Sequence, residues 1–444
     1  MSVLELVREQ EQSVGQKTNG ANANTQALAE ARDRLKRELV ERLGLSVVAS
    51  MAMDDDVEAA RSEISIACQA ILNAGAYADL DAEQRQVLVR QVLDEVCGLG
   101  PLQPLLDDPT ITEIMVNGCD KLFFERAGEL HPAERVFDSA DQIMLVIDRI
   151  LAPLGRRLDK ASPIVNARLP NGDRVNAVAA PTAIDGPAVT IRKFSNRITT
   201  LAHLQELGSV PAWYAQLLAW AVRMRKDIAV AGGTGSGKTT LLNALSCEID
   251  PRERIVTIED SAELRFDSHP NVVRLEARDA SLEGTGEITI RDLVRNALRM
   301  RPDRIVVGEA RGAEAIDMLQ AMSTGHDGSL TTLHAGSAHE AISRLILMAR
   351  FGMDLPASVI EMQIASALDF VLMSRRTADG SRYLASLSSV GESPDGGVEL
   401  RECVHFDEVA RSWEMVKEPS FVEQGLLEGV LDEEEVRVWR GCFA

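Results

Sequence analysis

Hydrophobic residues in the first hundred positions recur at helical spacing. The first stripe consists of Leu35, Leu39 and Leu43, which are four residues apart and are flanked by charged side chains. Two further stripes of this kind follow, and together they predict a helical bundle or arm over residues 28–97. The preceding segment, residues 1–27, contains a long polar run with too few large apolar side chains to offset the entropy of ordering, which predicts a disordered leader.

Between residues 98 and 200 the pattern changes to short β-like runs. These runs are separated by Asn-Gly and Asp-Gly pairs, which are strong turn signals. One amphipathic helix, at 139–151, interrupts them. The predicted strands cover residues 112–116, 121–126, 163–169, 174–180 and 188–194. The pattern therefore predicts an α+β amino-terminal domain over residues 98–200, followed by a linker at 201–209.

From residue 210 onward, apolar strands alternate with helices. The strands predicted at 228–231, 255–258 and 305–307 show no alternation of polar and apolar positions. A strand of this kind is covered on both faces, as in a mainly parallel sheet that lies between helices. The fold class predicted for residues 210–444 is therefore α/β, with β-rich segments and an acidic tail at its end.

Composition narrows the class of protein. Of 444 residues, 47 are Lys or Arg and 68 are Asp or Glu, so the formal net charge is −21 and direct nucleic-acid binding is not expected. Six scattered cysteines without metal-ligand spacing exclude a disulfide scaffold and a zinc module. No long apolar run or signal peptide is present, so we expect a cytoplasmic protein that reaches a membrane only through a protein partner.

Residues 232–239 (GGTGSGKT) match the phosphate-binding pattern G-x-x-x-x-G-K-[ST], known as Walker A. Backbone N–H groups of such a loop converge on phosphate oxygens, while Lys238 is expected to reach the β- and γ-phosphates and Thr239 to bind Mg²⁺. The predicted nucleotide-binding residues are Gly233, Thr234, Gly235, Ser236, Gly237, Lys238, Thr239 and Thr240. No Asn-Lys-x-Asp sequence for guanine is present, so the expected ligands are ATP and Mg²⁺.

Two carboxylates follow predicted strands downstream of the phosphate loop. Glu259 follows the strand in RIVTIEDSAEL, and Glu309 follows the strand in DRIVVGEARG, where Gly308 occupies a position at which aspartate is common. Ligands bind at the carboxyl ends of parallel strands, so both acids are expected at the nucleotide. Their roles stay open: Glu309 can help to hold Mg²⁺ through water, and Glu259 can position or deprotonate the attacking water.

A third segment, residues 323–345, places His326 and His334 around a Ser/Thr-rich strand. We expect the ends of this strand to approach the γ-phosphate, so that the two histidines sense the state of the nucleotide. A metal site is not expected, because no third ligand is spaced with them.

These segments together resemble the type II/IV secretion and type IV pilus assembly ATPases, most closely the tight-adherence (Tad/Flp) pilus ATPases of the CpaF branch. The resemblance covers about residues 85–410. Its four boxes, in the family's order, are GGTGSGKTT (232–240), TIEDSAEL (257–264), DRIVVGEARG (303–312) and TGHDGSLTTLHA (324–335). The family's own Walker B segment also has glycine before glutamate.

The resemblance implies a homo-hexameric ring, in which a PAS-like amino-terminal domain is joined to a RecA-like P-loop motor domain. Arginines of the amino-terminal domain complete the nucleotide site in such rings, and Arg174 and Arg192 match their positions here. The implied function is ATP-driven pilus assembly or type II/IV protein secretion. The implied location is the cytosolic face of the inner membrane, with a pilus or secretion platform protein as partner.

The residues alone leave two other functions open. A RecA-like nucleic-acid motor shares the phosphate loop, although the net charge of −21 and the absence of a long Lys/Arg block argue against it. A nucleotide-gated scaffold that does not hydrolyse its ligand is favoured if the carboxylates are misplaced.

Overall fold

The computed structural model describes residues 21–44, 57–74, 77–133, 136–169, 171–194, 199–266, 269–278, 280, 285–377 and 380–443. The chain divides into two compact units, Met1–Ser195 and Asn196–Ala444.

The first unit begins with three helices that pack on one another. They are α1 (Ala21–Leu43), α2 (Val57–Leu72) and α3 (Ala82–Cys97). Leu35 and Leu39 of the predicted stripe are fully buried in the shared core. Helix α1 begins at Ala21, which corrects the predicted leader: its last residues are helical, and residues 1–20 lie outside the described part of the chain.

A six-stranded antiparallel sheet completes the first unit. Its strands are β1 (Ile111–Asn117), β2 (Leu122–Arg126), β3 (Glu129–Pro132), β4 (Ile164–Arg168), β5 (Arg174–Val178) and β6 (Ala188–Arg192), in the order β3-β2-β1-β6-β5-β4. Two helices belong to it, α4 (Gln103–Asp107) and α5 (Ala140–Leu151). The Arg149 side chain of α5 donates to the carbonyls of Glu95 and Gly98 at 2.6 and 2.8 Å, which ties the helical arm to the sheet domain.

The second unit is built on a nine-stranded sheet between helices. Its strands are β7 (Ile228–Gly232), β8 (Ile255–Glu259), β9 (Val272–Glu276), β10 (Arg304–Val307), β11 (Leu330–His334), β12 (Phe370–Arg376), β13 (Arg382–Glu392), β14 (Val398–Asp407) and β15 (Ser412–Met415). Its helices are α6 (Leu201–Glu206), α7 (Ala212–Arg223), α8 (Lys238–Ser246), α9 (Ile290–Ala297), α10 (Glu314–Met322), α11 (Ala338–Gly352), α12 (Ala357–Ala367), α13 (Ser420–Leu427) and α14 (Glu433–Arg440).

The sheet order is β15-β14-β13-β12-β7-β11-β10-β8-β9, and β12 through β9 in this list are parallel. Successive residues of β7 face opposite cores: Ile228 and Val230 pack with α7 and α8, whereas Ala229 and Ala231 pack with α10 and α11. Coverage on both faces explains why this strand has no polar alternation. Strands β8 to β11, which come next in the chain, lie on one side of β7 in the sheet, and β12 lies on its other side. The carboxyl end of β7 is therefore a topological switch point, which is where ligands bind in open α/β sheets.

The predicted linker and the acidic tail both pack in this unit. The supposed linker at 201–209 contains helix α6, and Leu201 and Leu204 are buried in the same core as β7. The acidic tail also packs on the fold: Trp439 of α14 is 3% exposed, and its Nε1 donates to the carbonyl of Trp213 at 2.6 Å. Acidic residues therefore cover only the outer side of this last helix.

Candidate nucleotide-binding and catalytic site

The phosphate-binding loop joins β7 to α8. Strand β7 ends at Gly232, and α8 begins at Lys238. Gly235 and Gly237 have φ angles of +71° and +92°, in the left-handed region where a side chain is strained. These two glycines let the backbone turn tightly enough to present the amino end of α8 to an anion.

Lys238 is buried at the start of α8. Its Nζ donates to the carbonyls of Gly232 and Gly233 at 3.1 and 3.0 Å and lies 3.3 Å from Nε2 of His334. Burial lowers the pKa of Lys238, while the negative charge of Glu309 acts in the opposite direction. The ammonium group thus lies within the loop in which it is expected to bind phosphate.

His334 connects Lys238 to Glu309. Because β11 lies between β7 and β10, its last residue is next to both strand ends, and His334 Nε2 is 3.3 Å from Glu309 Oε1. Burial and the charge of Lys238 lower the pKa of His334, so the imidazole is neutral near pH 7. A neutral Nε2 either accepts from the Lys238 ammonium or donates to Glu309, depending on its tautomer. A movement of Lys238 or of Glu309 would therefore change the hydrogen bonding of His334.

Arg311 links the two acidic segments. Its Nη2 donates to Glu309 Oε2 at 2.7 Å, and its Nη1 lies 3.5 Å from Oδ2 of Asp260. Glu309 is thus held by His334 on one oxygen and by Arg311 on the other. The sequence motifs alone do not indicate a role for Arg311, because one arginine near a glutamate is not by itself a signal.

Glu259 is the last residue of β8 and is 3% exposed. Its Oε2 accepts from the backbone N–H groups of Glu263 and Leu264 at 2.7 and 2.9 Å. Its Oε1 is buried and has no hydrogen bond to any residue that the structure describes. Burial raises the pKa of Glu259 to about 7, although the two N–H donors act to lower it. One oxygen is therefore anchored, and the other is available to a proton or a water.

The space beside Glu259 explains why residue 308 is a glycine. A Cβ atom on Gly308 would lie 2.9 Å from Cγ of Glu259. An aspartate at this position would collide with the Glu259 side chain. The glycine therefore makes room for a glutamate on the neighbouring strand.

We expect Gly308→Ala to lower turnover sharply, because it displaces Glu259, while the loss of stability stays at about 1–3 kcal/mol, as for other overpacked sites. Gly391→Ala is the matched control, since a Cβ there has no atom within 4 Å. Turnover and thermal unfolding of both variants check this expectation. Wild-type turnover in Gly308→Ala would show that Glu259 needs no such space.

The structure does not bring His326 to this site. His326 precedes β11, and its Nδ1 lies 3.3 Å from the carbonyl of Ala321, whereas His334 ends the strand. His326 is therefore on the side of the amino end of β11, and His334 is at the carboxyl end of this strand. The expectation that both ends of this strand approach the γ-phosphate is therefore wrong for His326 within the second unit.

Arg174 and Arg192 belong to the first unit. They are directly paired across the antiparallel strands β5 and β6. Their predicted role toward a nucleotide stays a prediction.

Oxygen donors suit the expected Mg²⁺. The hydroxyl of Thr239 is in the first turn of α8, and the carboxylate of Glu309 follows β10. Within the described ranges, no group of three or more His, Cys, Asp or Glu side chains could hold a metal ion. This set fits Mg²⁺, which keeps several waters and relies on substrate phosphates as ligands, rather than an ion that needs a full protein cage.

Comparison with known proteins now decides the family. Residues 95–387 match the family model described as "Type II/IV secretion system protein". This chain belongs to that family. It is an NTP hydrolase of the type II/IV secretion ATPases, whose members bind nucleotide.

Relatives of this secretion ATPase come from several bacteria. A Mycobacterium tuberculosis protein named for conjugal transfer is 37% identical over 325 residues, which are 72% of this chain and 92% of that protein. The type IV secretion system protein PtlH of Bordetella pertussis is 38% identical over 310 residues, 64% of this chain and 91% of that protein. A crystal structure of the Brucella suis VirB11 ATPase is similar at 33% identity and a TM-score of 0.36, over 65% of this chain and 92% of that one.

The described part of the secretion ATPase contains no helix that is both long and apolar enough to cross a membrane. Its motif segments account for Lys238, Glu259, Glu309 and His334. Three further residues contact the site: Arg311, which lies within the segment 303–312, and Ser374 and Arg382 from later in the chain. Only the fold brings the last two to the phosphate loop.

Proposed function

We propose that this protein hydrolyses ATP with Mg²⁺ and converts the energy into movement for pilus assembly or protein secretion, in a system of the Tad type. The observation that carries the proposal is the cluster of Lys238, His334 and Glu309 at the carboxyl edge of the sheet, with the buried Glu259 on the next strand. These are the groups that phosphoryl transfer needs: a cation for the phosphates and carboxylates for metal and water.

Each residue has a distinct part in the proposed reaction. Lys238 stabilises negative charge on the β- and γ-phosphates. Thr239, and Glu309 through water, would hold Mg²⁺, which would supply positive charge to the phosphates. Glu259 accepts a hydrogen bond, and then the proton, from the attacking water through its Oε1. His334 stays neutral and positions Glu309 relative to Lys238.

We further propose that the second unit is a RecA-like motor domain, that the first unit contains the PAS-like domain and that six copies form a ring. Strand β11 lies between β7, which precedes the phosphate loop, and β10, which precedes Glu309, and this order supports the RecA-like assignment. Arg174 and Arg192 then complete the nucleotide site of a neighbouring subunit. Guanidinium groups are suited to this, because they remain charged and bind phosphate oxygens in pairs. The ring reaches the inner membrane through a platform protein.

A subunit-mixing experiment tests the shared site. Lys238→Ala and Arg174→Gln are each expected to be inactive as uniform rings. In an equal mixture, about a quarter of the interfaces combine an intact phosphate loop with an intact arginine, so part of the turnover returns. The measurement is ATPase rate against mixing ratio after dissociation and reassembly. No recovery at any ratio, in rings shown to be mixed, would contradict a site shared in this way.

A further inference from the structure

The hairpin of β12 and β13 contacts the phosphate loop from a part of the chain about 140 residues away. Oγ of Ser374 donates to the carbonyl of Ser236 at 2.6 Å, and the two residues are 138 positions apart in the sequence. Nε of Arg382 donates to the carbonyl of Gly235 at 2.9 Å, with a separation of 147 residues. The hairpin therefore binds two consecutive carbonyls of the loop.

These two contacts restrict the direction of the loop's N–H groups. Each peptide unit is planar and trans, so its C=O and the following N–H point in opposite directions. Holding the carbonyls of Gly235 and Ser236 consequently fixes the N–H groups of Ser236 and Gly237. Glycine adopts several backbone conformations with similar ease, so such a loop needs an external restraint to stay in one of them. Donors that are fixed before the anion arrives cost less free energy to organise on binding.

The hairpin also places positive charge against the loop. Nη1 of Arg376 is 3.3 Å from the position that a Cβ on Gly235 would take, and Cδ of Arg382 is 3.1 Å from the corresponding position on Gly237. Both arginines are exposed. The positive charge of these guanidinium groups attracts the phosphates of a nucleotide.

We propose that Arg382 is a positioning residue of the nucleotide site, which holds the phosphate loop in its anion-binding conformation through the carbonyl of Gly235. Ser374 holds the next carbonyl in the same way, and Arg376 adds positive charge for the phosphates of ADP or ATP. This inference rests on the proposed function and extends the site beyond its four motif segments. It also makes the β12–β13 hairpin part of the nucleotide site.

The test compares Arg382→Gln and Arg382→Lys with the control Arg375→Gln. Arg375 is on the same hairpin but pairs with Glu408 at 3.1 Å, so this control removes one charge without touching the loop. For Arg382→Gln we expect about tenfold weaker ADP binding by calorimetry, or about 1.4 kcal/mol. The KM for ATP should rise with a smaller change in kcat. Arg382→Lys keeps the charge but loses the Nε–H donor, so its affinity should fall between those of wild type and Arg382→Gln.

Equal ADP affinity of wild type and Arg382→Gln would overturn the proposal. Wild-type affinity in Arg382→Lys would also overturn it, because charge alone would then suffice. Thermal unfolding monitors each variant; if Arg382→Gln does not fold, Arg382→Lys and Ser374→Ala decide, and both should bind ADP more weakly than wild type. A wild-type protein that binds ADP without hydrolysing ATP would contradict the proposed function, yet the same affinities would still test Arg382.

Discussion

Lys238→Ala is expected to reduce ATP turnover about 100- to 1,000-fold or more, the range observed when one charge-stabilising donor is removed from an active site. Lys238 is buried with its Nζ directed at the loop carbonyls and His334, so its charge is poorly screened by solvent. The measurement is phosphate release at saturating ATP and Mg²⁺, with ADP affinity determined in parallel.

Lys417→Ala is the control for this variant, because Lys417 is an exposed lysine of the same unit on the antiparallel side of the sheet. It should retain wild-type turnover. Thermal unfolding separates a catalytic loss from a folding defect, which is needed because Lys238 also bonds two carbonyls. Undiminished phosphate release by purified Lys238→Ala would contradict the assignment of this loop as the phosphate-binding part of the catalytic site.

The elements that the sequence predicts well are those with strong periodicity. Periodicity predicts the buried stripe of α1 and the apolar strands β7, β8 and β10, because each of these elements follows one burial pattern. Strands β9 and β15 were not predicted. Both are edge strands of the sheet and are only partly buried, so their residues carry little of the alternation or apolar continuity that marks a strand.

The residues of the candidate site likewise fall into two groups, those that a local motif predicts and those that only the fold brings to the site. Lys238, Glu259 and Glu309 follow from local motifs, because each motif lies where the carboxyl end of a strand meets a loop. The opposite positions of His326 and His334 follow from the direction of β11, which no local spacing reveals. The contact between Arg382 and Gly235 depends on the parallel pairing of β12 with β7, a non-local property of the fold. The close approach of Gly308 to Glu259 likewise arises between two strands.

Glu259→Gln is expected to lower turnover about 100- to 10,000-fold, the usual contribution of a general base. Glutamine preserves the size of the side chain, and its Oε1 can still accept the N–H groups of Glu263 and Leu264 that anchor Glu259. What it loses is the ability to take a proton. ADP affinity should therefore change little, which distinguishes this variant from those of the phosphate loop.

The pH dependence makes this prediction specific. Burial raises the pKa of Glu259 to about 7, so below pH 7 the carboxyl is increasingly protonated and cannot accept a proton, whereas above it the carboxylate is the major form. Turnover of the wild type should consequently rise with pH to a plateau above an apparent pKa near 7. In Glu259→Gln the residual turnover should show no limb near this value. A profile that is flat between pH 6 and 8 in the wild type, or the same limb in both proteins, would assign the proton acceptor to another group, with Glu259 then serving to orient water through its anchored position.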